Sequence, residues 1–120
     1  MSDDLAVLDI GVLDELRASV ADDEGFVRDL VETYLAEGPA HMAQVAAAAA
    51  SADAEAIVRP AHTLKSSSAA LGLTRMSAIS KQIEFAGREG RVTDLAALAA
   101  QAQQAWADTI AALTAAGLTS

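Results

Sequence analysis

Along this chain apolar residues recur at intervals of three and four, the spacing that lines one face of an α-helix. A short first helix is expected over about residues 12–20, with Leu13, Leu16 and Val20 on one face. Asp22 is placed to cap a second helix, whose acidic first turn (Asp23, Glu24) suits the positive end of the helix dipole. Its apolar positions Phe26, Leu30, Val31, Tyr34 and Leu35 keep helical spacing up to Gly38-Pro39. Proline removes a backbone donor and crowds the preceding turn, so a kink or a restart is expected there. Met42, Val45 and the run Ala46 to Ala50 carry the helix on to about Ser51, the alanines reading as close helix packing. Asp53 opens a third helix that ends at Gly72. Thr74 and Thr93 are the expected caps of the fourth and fifth, with Gly90 and Gly117 as their stops. The core stripes are Met76, Ile79, Ile83 and Ala86 in the fourth, then Leu95, Leu98, Ala102, Trp106, Ile110 and Leu113 in the fifth. The expected fold is all-α: an antiparallel four-helix bundle, with a short additional N-terminal helix on one end, in a single domain over residues 1–120.

Composition strengthens this picture. The chain is 52% hydrophobic, much of it alanine, with two prolines and seven glycines, a mixture that favours helix. Its aromatic residues are Phe26, Tyr34, Phe85 and Trp106, so aliphatic side chains and close alanine contacts must build the core. A net charge of −9 without any cluster of Lys and Arg argues against direct binding of DNA or RNA. The absence of cysteine removes disulfides and thiolate zinc sites. The acidic start MSDDLAVLDIG has no apolar segment of signal-peptide length, and no apolar run approaches the roughly 20 residues of a membrane span. A cytoplasmic protein with no membrane contact is expected.

The third helix carries the candidate chemistry. Ile57, Ala61, Leu64, Ser68 and Leu71 follow one another at helical spacing and form the bundle-facing stripe. At about 100° per residue, His62 then falls roughly 140° from the centre of that stripe, on the solvent side. Lys65, Ser66 and Ala69 share its face at i+3, i+4 and i+7. An exposed helical histidine needs no function, and helical serines commonly bond back to the preceding turn. Here, however, an imidazole stands beside an ammonium amid small side chains, so a large partner can reach its ring nitrogen. A neutral imidazole, with an ordinary pKa of about 6.5, is a nucleophile near neutral pH. Lys65 is placed to offset the charge of a phosphoryl group on it. No carboxylate flanks His62 at positions 61 or 63, and no HxxxH or HExxH pair is present, so no metal is expected. These features suit a carrier of phosphate better than a hydrolase.

The stretch Ala61-His62-Thr63-Leu64-Lys65-Ser66-Ser67-Ser68-Ala69-Ala70-Leu71-Gly72 resembles the AHxLKGS pattern of histidine-containing phosphotransfer (HPt) domains, the intermediates of multistep two-component phosphorelays. The segments FVRDLVETYLAEGPAHMAQVAAAAASAD before it and LTRMSAISKQIEFAGREG after it are similar to the family's neighbouring helices. The likeness spans about residues 22–90. It implies reversible phosphorylation of His62 on Nε2, with phosphate exchanged with an aspartate of a receiver domain in a response regulator or hybrid histidine kinase. It implies no cofactor in this chain, the Mg²⁺ of transfer belonging to the receiver, and no autonomous kinase or phosphatase activity. It also implies a phosphoryl-stabilising role for Lys65 and a hydrogen bond between Glu84 and the ring. Ser66 stands where the family usually has glycine, which adds a hydroxyl but keeps the face open.

Pro60 is expected to bend the helix just before His62. His41, without a small-residue patch or nearby lysine, reads as a surface or helix-start histidine, and Arg88, Glu89 and Arg91 as solvated charges. Two other readings share the exposed histidine. A histidine-kinase dimerisation helix normally has an acidic residue after the histidine, whereas Thr63 follows here. A helical adaptor would leave His62 incidental. A monomer is expected, since one chain supplies enough helices to close a bundle.

Overall fold

The structure, a computed structural model, describes residues 6–119. The first five residues, part of the acidic leading segment, and Ser120 lie outside the described residues. Five helices follow in order: α1 (Ile10–Ser19), α2 (Glu24–Ala50), α3 (Ala54–Ala70), α4 (Thr74–Arg88) and α5 (Val92–Ala115). Three-residue connections, 51–53, 71–73 and 89–91, join α2 to α5 and force each helix to run back along its predecessor. α2 packs on α3 and α5, and α4 packs on the same two helices, which closes the four-helix bundle. None of the helices is long and apolar enough to cross a membrane.

Side-chain caps start three of the helices. Asp9, Asp23 and Asp53 each accept a hydrogen bond from a first-turn backbone N–H, of Gly11, Phe26 and Ala56 respectively. α1 therefore begins two residues earlier than its apolar pattern suggests. Asp23, not Asp22, caps α2, because Ala21 and Asp22 form a left-handed turn with φ of 54° and 58°. Neither threonine caps its helix: the N-cap positions are Leu73 and Arg91, and Thr74 Oγ1 instead donates to the Gly72 carbonyl. Past its C-cap Leu71, α3 gives way to Gly72, whose φ of +75° a Cβ would resist; that Cβ would also press on the Asp9 carbonyl and Val12. The close approach seats the start of α1 on the α3–α4 turn, where Asp9 N–H donates to the Gly72 carbonyl.

α2 passes through Gly38-Pro39 without a restart. Pro39 points to solvent, so its ring displaces nothing in the core, and Gly38 is buried against α5. A Cβ on Gly38 would collide with Trp106 Cη2, so only a glycine lets the indole lie on the helix there. Trp106 also meets the Tyr34 ring, with centroids 5.4 Å apart. α3 is likewise unbroken through Pro60, which is buried.

The core is drawn from all five helices and is largely aliphatic: Val27, Val31, Ile57, Leu64, Met76, Ile83, Leu95 and Leu113 are among its most enclosed side chains. The expected core differs in three places. Phe26 is exposed and Val27 takes its place, since the cap at Asp23 rotates the first turn. Ile110 is exposed, because the buried stripe of α5 runs through Ala99, Ala102, Ala105 and Thr109. In the run Ala46 to Ala50, Ala48 is buried and Ala49 partly so, while the other three face solvent. Inside the core, the Tyr34 and Ser68 hydroxyls share a 2.8 Å hydrogen bond that ties α2 to α3. Burial pushes the Tyr34 phenol up to about 12, against the opposing effect of that bond.

Candidate functional site

His62 stands midway along α3, and the helix behaves there as its periodicity predicts. Ile57, Ala61, Leu64 and Ser68 are buried, while His62, Ser66 and Ala69 are exposed and Lys65 lies between. The local hydroxyls of Thr63 and Ser67 donate to the carbonyls of Arg59 and Thr63, one turn back. Ser77 Oγ, on α4, donates to the Lys65 carbonyl at 3.0 Å and pins the two helices together at this level.

The adjoining face of α4 supplies Glu84. Its side chain is only 8% exposed, against 54% for His62, so a buried carboxylate backs an open imidazole. Glu84 Oε2 lies 3.0 Å from His62 Nδ1, and Oε1 lies 2.7 Å from Lys65 Nζ. Arg88, one turn further along α4, donates from Nε at 3.1 Å and from Nη2 at 2.7 Å to the same Oε2. Burial by itself raises the pKa of this carboxyl, but hydrogen bonds from Lys65, Arg88 and His62 outweigh it and bring the group down to about 2. Glu84 is therefore a carboxylate at any physiological pH and can only accept hydrogen bonds. Nδ1 must then carry the proton of the neutral ring, which leaves the lone pair on Nε2, the nitrogen that does not face Glu84. The carboxylate sets both the tautomer and the orientation of the imidazole.

Glu84, Lys65 and His62 thus meet in one cluster. Ser66 and Ala69 continue the exposed face along α3 without touching it. Arg88, read from the sequence as a solvated charge, is instead a direct partner of Glu84; the Glu-x-x-x-Arg spacing on one helix was the available signal. His41 does not start a helix. It sits within α2, half-buried, with Nδ1 enclosed and without a hydrogen-bond partner. No group of His, Cys, Asp and Glu that could hold a metal ion occurs among the described residues.

A bundle with an oriented, solvent-facing histidine at the middle of one helix defines a class, and comparison with known proteins identifies it. The family model described as Hpt domain matches residues 29–116, and the chain belongs to the histidine-phosphotransfer (Hpt) domain family. α1 and the first turn of α2 fall outside the matched span. Among solved structures, the fold is similar to the crystal structure of histidine-containing phosphotransfer protein B from Pseudomonas aeruginosa PAO1. The TM-score is 0.76 at 27% identity, covering 86% of this chain and 87% of that one. The search of curated proteins found no match.

Proposed function

We propose that this protein is a phosphorelay intermediate in which His62 accepts a phosphoryl group on Nε2 from the aspartyl phosphate of a receiver domain and returns it to the aspartate of another. The observation that carries the reading is the His62–Glu84 bond: a buried, ionised carboxylate holds Nδ1–H and leaves an accessible Nε2 lone pair. In the forward step the Nε2–P bond forms as the acyl phosphate P–O bond breaks, and the donor aspartate leaves as its carboxylate. The ring becomes a phosphoimidazolium whose positive charge Glu84 faces through Nδ1–H. That proton stays in place, so the reverse transfer needs no proton relay.

Lys65 acts as the phosphoryl-stabilising cation, exchanging its bond with Glu84 for one with the incoming oxygens. Arg88 keeps Glu84 anchored while it does so. Ser66 and Ala69 keep the α3 face low enough for a receiver loop to approach. The chain works as a monomeric carrier in the cytoplasm without kinase or phosphatase activity of its own, and the Mg²⁺ of the transfer is held by the receiver.

The test is labelling by a receiver carrying aspartyl phosphate. Wild-type protein should acquire an acid-labile, alkali-stable phosphate. His62→Gln should remove it with unchanged helical circular dichroism, and His41→Gln should keep it. Label that persists in His62→Gln, or disappears in His41→Gln, overturns the assignment.

A further inference from the structure

Of the cations around His62, Lys65 and Arg88 both pair with Glu84 before any phosphoryl group arrives. Arg59 does not: it is exposed, and its side chain makes no ion pair or hydrogen bond among the described residues. We propose that Arg59 is a phosphoryl-binding residue of this site, its guanidinium closing on the oxygens of a phosphoryl group carried by His62 Nε2. The inference rests on the reading of His62 as the phosphoryl acceptor and adds a residue to it.

Helical spacing puts Arg59 within a long side chain's reach of such a group. It precedes His62 by three residues on a continuous α3, which sets their Cβ atoms about 5–6 Å apart on neighbouring lines of the helix surface. Side chains on a helix lean toward its N-terminus, so the imidazole lies over the turn that Arg59 begins. Beside that turn Arg59 lines an open groove between the start of α3 and the end of α4, together with Glu55, Arg88 and Glu89, and a second groove against α2 with Gln44 and Ser51; His62 lines neither. Glu55 is one turn before Arg59 at i,i+4 spacing, yet the two form no ion pair, so the guanidinium remains uncommitted.

Charge supports the same assignment. Glu84 cancels one of its two cations, which leaves the Lys65–Glu84–Arg88 group with a single net positive charge against a phosphoryl group of higher negative charge. A guanidinium offers two parallel N–H donors that match two phosphoryl oxygens, a geometry an ammonium lacks. Loss of the phosphoryl group to water proceeds through a loose transition state, reached as charge moves from the oxygens toward the breaking P–N bond. A guanidinium that holds charge on those oxygens slows the loss and lengthens the life of the phosphohistidine.

Phosphoramidate is the probe. Its own P–N bond breaks and ammonia leaves as the Nε2–P bond forms, so no receiver is involved. The full chain, labelled and freed of reagent, is followed by ³¹P NMR at fixed pH. The phosphohistidine of Arg59→Gln should decay about three- to tenfold faster than that of wild type, with Arg59→Lys between them. Its ³¹P resonance should shift as well, a change that a purely structural role would not produce. Lys81→Gln, which removes another exposed cation that has no partner among the described residues, should match wild type in both. Equal lifetimes for wild type and Arg59→Gln overturn the proposal and leave His62 as acceptor intact. An equal loss in Lys81→Gln overturns it too, by reducing the effect to overall charge. Absence of any label on wild type would instead overturn the reading of His62 itself.

Discussion

Removing the carboxylate of Glu84 is the perturbation that separates an oriented imidazole from a merely exposed one. In Glu84→Ala, His62 Nδ1 loses an acceptor at 3.0 Å, and the cations of Lys65 and Arg88 lose their common anion. A hydrogen bond to a charged group contributes about 1.5–3 kcal/mol. As the ring gains positive charge during transfer, that contribution falls on the transition state more than on the free imidazole. At about 1.4 kcal/mol per factor of ten, the labelling rate should fall by roughly ten- to a hundredfold. Glu84→Gln keeps a neutral acceptor for Nδ1–H, worth about 1 kcal/mol, and should recover part of the rate. The assay is the initial rate of phosphoramidate labelling followed by ³¹P NMR, with helical circular dichroism recorded on each variant. A folded Glu84→Ala protein labelled within threefold of wild type would refute the argument that the carboxylate organises the ring.

The same carboxylate predicts a pH dependence of stability. Its folded pKa of about 2 lies below the ordinary glutamate value of 4.5, so its contribution is fully present above that value and lost as pH falls toward 2; acid titration by circular dichroism should show this loss, and Glu84→Gln should lack that component. Gly38→Ala would push a methyl into the six-membered ring of Trp106, against Cη2. Overpacking of about 1–3 kcal/mol exceeds the roughly 0.5–1 kcal/mol gained in helix propensity, so Tm should drop by roughly 5 °C with altered tryptophan fluorescence, and an unchanged or higher Tm would contradict the contact.

How much of the molecule could be read in the chain differs from helix to helix. α3 was legible in detail because it mixes bulky aliphatics with polar residues: Ile57, Leu64 and Leu71 leave one orientation that buries them all, and His62, Ser66 and Ala69 then face outward. α5 was legible as a helix but not in its rotation. Alanines surround it, an alanine fits either side of an interface, and packing chose the stripe through Ala99, Ala102 and Thr109 over one through Ile110. Helix caps show the same limit. Asp23 won over Asp22, and both threonines failed, through backbone geometry in turns whose residues all looked competent.

By itself, then, the sequence determined the helices, their glycine stops, and the composition of the face around His62, since these depend on propensity and spacing within a few residues. Tertiary structure decided what that face could do. Glu84 lies 22 residues from His62 along the chain, and only the packing of α3 on α4 brings its Oε2 to the imidazole. Arg88 became a partner rather than a solvated charge for the same reason: the pairing pattern was local, but the enclosed carboxylate that gives it meaning was created by the second helix. Gly38 and Trp106 make the point in the core, where a residue that looked like a helix breaker proved to be the space an indole needs. Spacing sets direction within one helix, whereas distance between helices is set by how their surfaces interlock.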